Sequence, residues 1–258
     1  MNSSPKRSWS RVPGSLFAEQ SGDRSTVSQV LLHGFTQTSR SWDRYIDLLQ
    51  PEQSIIRFDA PGHANSTAVS ADLPTTATMV AEQGAKADYI GYSMGARLAL
   101  HIALLHPDSV RRLVLISGSP GLRSPSERST RVQSDEKLAL EILEIGVDKW
   151  LSAPMFAGLI SSSADIQDRL RNTAEGLASS LRTSGTGSQQ SLWDRLTELS
   201  MPVLLLVGSQ DEKFSHIASE MKSAIGANAN LMAIDEAGHS VHLEQPHRFQ
   251  SVASEFLS

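Results

Sequence analysis

Short unbroken apolar runs, set apart by stretches with helical spacing, recur along the first half of the chain. Val30-Leu31-Leu32 runs into His33-Gly34, Ser54-Ile55-Ile56-Arg57-Phe58 closes at Asp59-Ala60-Pro61-Gly62-His63, and Leu113-Val114-Leu115-Ile116 ends at Ser117. Runs of this length without polar alternation are expected of strands buried on both faces, as in a parallel sheet. Between them, Trp42, Tyr45, Ile46, Leu48 and Leu49 fall at helical spacing up to Pro51 and predict a helix over 40–50. A looser helix is predicted over 73–83, and another follows Ser93 through Leu104. Strand and helix alternate, the pattern of a doubly wound α/β sheet. Residues 15–18 are read as an edge strand, and the first dozen residues as lacking fixed structure.

The rhythm stops at Ser119. From there to Gln190 no run has the character of a strand, and helical pieces are predicted over 135–145, 147–151 and 165–181. Strands resume over 201–207 and 231–234, and an amphipathic helix over 246–257 closes the chain. The expected organisation is a sheet domain in two parts, 1–118 and 191–258, with a helical lid inserted at 119–190. A chain of 258 residues suffices for one such domain.

Composition narrows the function. Twenty-three basic against 28 acidic residues, with no run of Lys or Arg, argue against a nucleic-acid surface or a polybasic membrane contact. No apolar stretch approaches the roughly 20 residues of a membrane span, and no apolar segment follows the polar start. The chain has no cysteine, hence no disulfide, thiolate nucleophile or cysteine zinc site. A soluble, cytoplasmic protein without membrane insertion, monomeric or homodimeric, is expected.

The chemistry centres on Gly91-Tyr92-Ser93-Met94-Gly95, a G-x-S-x-G turn between a predicted strand and a predicted helix. This nucleophile elbow needs glycines because a side chain at either would strike the neighbouring strand or helix. A serine hydroxyl acts at neutral pH only if an imidazole takes its proton and a carboxylate orients the imidazole. Asp211, after the 201–207 strand, and His239, after the 231–234 strand, follow in the order this fold uses. Glu212 is a weaker alternative acid, and Asp235 lies on the wrong strand. His242 and His247 are read as surface or helix-start residues. The amides of Met94 and of Phe35, in His33-Gly34-Phe35, are assigned to the oxyanion hole. His33 is read as a buried, hydrogen-bonded support for that loop. No histidine set has metal-ligand spacing, so no metal is expected.

These motifs identify the chain as a member of the α/β-hydrolase superfamily, which hosts many reactions. Narrower stretches carry a closer resemblance. They are Gly91 to Arg97, Pro120-Gly121-Leu122 with Glu127-Arg128 and Ser134-Asp135, and Trp150-Leu151-Ser152-Ala153-Pro154-Met155-Phe156. Gly185-Thr186-Gly187-Ser188-Gln189 with Ser191-Leu192-Trp193, Asp211-Glu212-Lys213-Phe214, and Gly238-His239-Ser240-Val241-His242-Leu243-Glu244 complete the set. Together they resemble the 2-succinyl-6-hydroxy-2,4-cyclohexadiene-1-carboxylate synthases, pyruvate-eliminating enzymes of menaquinone biosynthesis. One departure is Ala64, where glycine is usual.

The resemblance implies a lyase whose triad acts as a base on a small-molecule polycarboxylate, with no acyl-enzyme and no cofactor. Arginines then hold the carboxylates, since a guanidinium can bind one with two parallel hydrogen bonds. Arg97, one helical turn past Ser93, is the first candidate; Arg128, Arg171 and, less strongly, Arg131 follow from the lid. Tyr92 and Trp150 are expected to line the pocket, although Trp150 suits a lid core equally. The rival reading is a carboxylesterase or C–C bond hydrolase using the same triad through an acyl-enzyme.

Overall fold

A computed structural model describes residues 7–153 and 162–258. The chain opens with a hairpin, β1 (Trp9–Val12) and β2 (Ala18–Ser21), followed by β3 (Val27–Leu32). Then come α1 (Asp43–Ile46), β4 (Ser54–Phe58), α2 (Leu73–Gln83), β5 (Ala87–Tyr92), α3 (Met94–Leu105) and β6 (Val110–Ile116). The helices α4 (Pro125–Ile145), α5 (Val147–Leu151), α6 (Ser163–Arg169) and α7 (Ala174–Ser184) intervene before the sheet resumes. It does so with β7 (Val203–Gly208), α8 (Glu212–Ile225), β8 (Ala229–Ile234), α9 (Val241–Glu244) and α10 (Pro246–Phe256).

Among the described residues the strands form one sheet in the order β1-β2-β4-β3-β5-β6-β7-β8, antiparallel at β1/β2 and β2/β4 and parallel elsewhere. The unbroken apolar runs have a simple cause: both faces are covered. Val30, Leu32, Leu113, Leu115 and Leu205 face a core closed by α2, α3 and α8. Leu31, Ile90, Val114, Ile116 and Leu204 face the other side, under Trp42, Tyr45, Phe249 and Ala253. A third cluster, built around Trp150, Ile142 and Leu177, holds the inserted helices together.

Several expectations are corrected. Trp9–Val12 is a strand rather than part of a structureless start, and only residues 1–6 of that stretch lie outside the described residues. It is fastened by Arg57, whose guanidinium stacks 3.9 Å over Trp9 and pairs with Glu19 at 2.8 Å and with Asp43. Residues 15–17 do not join the ladder, because the Leu16 and Phe17 amides go to Gln83 Oε1 at 3.1 Å and Ser66 Oγ at 2.8 Å. The 40–50 helix is a 3-10 turn over Ser39–Trp42 continuing into the short α1.

Helix α4 starts ten residues before the predicted 135. Ser124 and Glu127 form a capping box and Pro125 fills the first helical position, a signal independent of apolar spacing. The predicted 165–181 helix breaks between α6 and α7, where Thr173 Oγ1 accepts the Gly176 N–H at 3.0 Å and starts a new helix. Helix α8 has no counterpart in the sequence reading. No helix among the described residues is long and apolar enough to cross a membrane.

Candidate active site

Ser93 sits at the apex between β5 and α3 with φ 51° and ψ −107°, outside the regions an L-residue ordinarily adopts. Its flanking glycines are compulsory. A Cβ at Gly91 would lie 2.2 Å from Gly95 O, and one at Gly95 would lie 2.1 Å from Leu32 O. The Ser93 N–H donates to Ile116 O at 2.9 Å, which ties the turn to the end of β6.

Strands β7 and β8 bring the partners. His239 Nε2 lies 3.1 Å from Ser93 Oγ, and its Nδ1 lies 2.6 Å from Asp211 Oδ2. Asp211 makes this contact; Asp235 is exposed beside Arg248, and Glu212 begins α8 on the surface. Asp211 also caps α8, accepting the Phe214 N–H at 3.2 Å. Burial pushes the Asp211 carboxyl upward, but the hydrogen bonds from His239 and Phe214 outweigh it and hold the group below its usual range. The His239 loop is pinned by Glu244, whose carboxylate accepts the Gly238 N–H at 2.7 Å and the Ser240 N–H at 2.8 Å. Ser117 Oγ adds a donor to His239 O at 3.0 Å.

Phe35 and Met94 both line the cavity beside Ser93, and among the described residues neither backbone N–H has an acceptor in the chain. The Phe35 loop stands on two buried histidines. His33 Nε2 accepts the Ala60 N–H at 3.0 Å and Nδ1 donates to Gly34 O at 2.8 Å. His63 Nε2 accepts the Thr36 N–H at 3.2 Å while Nδ1 donates to Pro61 O at 3.0 Å. Burial lowers the pKa of both, so both imidazoles are neutral braces. Ala64, where glycine is usual, sits at φ 39°, which explains the usual residue.

A cavity of about 500 Å³ opens over Ser93 and His239. Arg97 is on its wall, buried, with Nη2 donating to Ser184 O at 2.8 Å and Nη1 to Gln189 Oε1 at 3.0 Å. Burial, with Arg131 nearby, pushes Arg97 down to about 10, and it stays cationic at neutral pH. Tyr92 also lines the cavity; its hydroxyl is 2.8 Å from Ser240 Oγ and its ring packs against His239.

Three expected pocket residues lie elsewhere. Arg128 turns back to the carbonyls of Leu122 and Arg123, at 3.1 and 3.0 Å, and closes the loop before α4. Arg171 is exposed, because the helix ends at Arg169 and the chain turns there. Trp150 is buried within the third cluster, with the Phe35 ring centroid 6.1 Å away. Residues 154–156 of the same motif lie outside the described residues. His242 is buried rather than superficial, its ring tilted against Trp42 and Tyr92 with centroids 4.6 and 4.5 Å away; His247 is exposed.

Arg123, Arg131, Arg169 and Lys213 complete the cationic lining. Arg131 also pairs with Asp135 at 2.7 Å, and Arg123 lies 3.5 Å over the Trp193 ring with Glu220 beside it. Arg123 follows the Pro-Gly-Leu motif and Lys213 follows Asp-Glu, so their neighbours carried a usable signal. Arg169 could be told from Arg171 only by seeing the helix break. Among the described residues, no group of three His, Asp or Glu side chains is placed to hold a metal ion.

Residues 29–251 match the alpha/beta hydrolase family. A Bacillus subtilis (strain 168) protein provisionally named 2-succinyl-6-hydroxy-2,4-cyclohexadiene-1-carboxylate synthase is 38% identical, over 92% of each chain. A synthase of that name from Serratia proteamaculans (strain 568) is 29% identical over 92% of this chain and 96% of its own. The structure of MenH from S. aureus superposes with a TM-score of 0.82 at 29% identity, covering 93% of this chain and 97% of that one. The chain belongs to the α/β-hydrolase family and, within it, to the family of 2-succinyl-6-hydroxy-2,4-cyclohexadiene-1-carboxylate synthases.

Proposed function

We propose that the chain is a carbon–oxygen lyase that eliminates pyruvate from a polycarboxylate cyclohexene precursor, giving 2-succinyl-6-hydroxy-2,4-cyclohexadiene-1-carboxylate. The observation that carries this reading is the charge of the cavity. Among the described residues, Arg97, Arg123, Arg131, Arg169 and Lys213 face it against Glu127 and Glu220, in a chain of net charge −5. Cations concentrated in the wall of an acidic protein suit a substrate with several carboxylates. An esterase acting on neutral esters would gain nothing from them.

In this reading Ser93 Oγ gives its proton to His239 Nε2 and takes one from the ring carbon. Asp211 orients the imidazole and stabilises its charged form. The electron pair moves into the conjugated carbonyl, whose growing charge the Phe35 and Met94 N–H groups receive. It then returns to form the ring double bond as the C–O bond breaks. Enolpyruvate leaves and becomes pyruvate on taking up a proton. The helices between β6 and β7 serve as a lid whose arginines orient the substrate.

Pyruvate release from the precursor tests the proposal. Turnover of simple nitrophenyl esters with no pyruvate from the precursor would favour the acyl-enzyme alternative. Arg97→Ala is expected to lower kcat/KM for pyruvate release by about 10- to 100-fold, the loss of one charge-assisted contact. Arg97→Lys should recover little of it, since an ammonium cannot reproduce the planar fork. Activity of Arg97→Ala close to that of the parent protein would remove Arg97 from substrate binding.

A further inference from the structure

The turn that presents the Phe35 N–H is strained. Gln37 N–H donates to Gly34 O at 3.1 Å and closes a four-residue turn with Phe35 and Thr36 at its centre. Thr36 has φ 69°, the value that the third position of a type II turn requires and that glycine normally supplies. A β-branched residue is poorly suited to it. Such backbone persists only where its surroundings over-determine it.

Here they do. The Thr36 N–H donates to His63 Nε2 at 3.2 Å, and its carbonyl accepts from Asn172 Nδ2 at 2.6 Å. Its hydroxyl accepts from Arg169 Nη1. Asn172 Oδ1 accepts the Ala64 N–H at 3.0 Å, which fixes the end of the amide that faces Thr36. Two residues on, the Thr38 N–H and hydroxyl both donate to the Asp168 carboxylate. Asp168 and Arg169 close α6 and Asn172 lies between α6 and α7, so all three belong to the inserted segment, not to the sheet.

We infer that Asn172 is a positioning residue for the oxyanion hole: by bridging Thr36 and Ala64 it keeps the Phe35–Thr36 turn in its left-handed form. The hole is therefore complete only while the 168–172 segment is seated on the turn. The inference rests on the assignment of Phe35 as an oxyanion donor. Without Asn172, Thr36 relaxes toward negative φ, the turn loses its shape, and the Phe35 N–H, on the peptide just before the central one, shifts relative to Ser93.

The test compares Asn172→Ala and Asn172→Asp in the parent protein and in Thr36→Gly. Asn172→Asp keeps the size and the acceptor for Ala64 but replaces the donor to Thr36 O with an oxygen. It serves if the alanine variant does not fold. Glycine adopts φ 69° without steric cost, so it removes the need for the brace. In the parent background each Asn172 variant is expected to lose about 10- to 100-fold in kcat with KM within about threefold, somewhat less than loss of an oxyanion donor. In the Thr36→Gly background the same substitutions should cost less than about threefold, a coupling that a generally structural role would not produce.

Equal losses in both backgrounds, or parent-background losses below about twofold, would overturn the inference. The rate at which diethyl 4-nitrophenyl phosphate stoichiometrically phosphorylates Ser93 is followed beside pyruvate release. It reports on the same hole with any natural substrate. A parent protein that is phosphorylated but releases no pyruvate would sink the proposed substrate, while the phosphorylation rates still decide the role of Asn172.

Discussion

Ser93→Ala is expected to lower kcat for pyruvate release by on the order of 10⁴-fold or more, with KM little changed. In the proposed mechanism the hydroxyl is the group that takes the ring proton, whereas binding rests on the cations around it. His239→Ala should lose a similar amount, and the double variant scarcely more, because serine and imidazole act as one base. Asp211→Asn separates two duties of one side chain. An asparagine can still cap α8 toward Phe214, so the fold should hold. The amide cannot stabilise an imidazolium, so the rate should fall. Single-turnover pyruvate measurements check all three. More than about one per cent residual activity in Ser93→Ala would mean that another group takes the proton.

The second large effect is acid unfolding. Burial lowers the pKa of His33 and His101, and lowers those of His63 and His242 to about 3. A histidine whose folded pKa lies below its unfolded value favours the unfolded chain as pH drops. The stability is intact above about pH 6.5 and is lost progressively below it, toward about 3 for His63 and His242. His63 and His242 each remove up to about 1.4 kcal/mol per pH unit, so the two together remove about 3, and His33 and His101 act in the same direction. Asp168, raised by burial, opposes them but is a single group. Against a typical stability of about 5–15 kcal/mol, the fold should be lost below roughly pH 5. Denaturant midpoints at 25 °C from pH 7.5 downward test this, and a flat profile to pH 4.5 would contradict it. His242 offers a sharper check. Among the described residues neither ring nitrogen has a hydrogen-bond partner, so His242→Phe should keep or raise stability at pH 7 and remove one histidine from the slope.

The sheet was legible because its residues obey local rules. Strands covered on both faces must be apolar throughout, and the elbow glycines answer to contacts of about 2 Å with backbone that no side chain could survive. The triad was legible because the order of strand ends is fixed by the fold. What the sequence hid depended on where helices stop. Arg171 and Arg169 are two positions apart, and whichever side of the helix end each falls on decides whether it meets solvent or the cavity. The hairpin strand was hidden for another reason: Trp9-Ser10-Arg11-Val12 looks like a tail until Arg57, far along the chain, reaches it.

Strands β6 and β7 lie side by side in parallel register, Leu113 opposite Val203 and Ile116 opposite Leu206, although α4, α5, α6 and α7 separate them along the chain. The ladder between them is thus indifferent to the length of what it brackets. Entropy of ring closure grows only as the logarithm of the ring, and doubling the bracketed tract would cost only about 0.6 kcal/mol. Evolution can therefore rebuild the roof over Ser93, longer or shorter, while the floor that carries the nucleophile stays where it is.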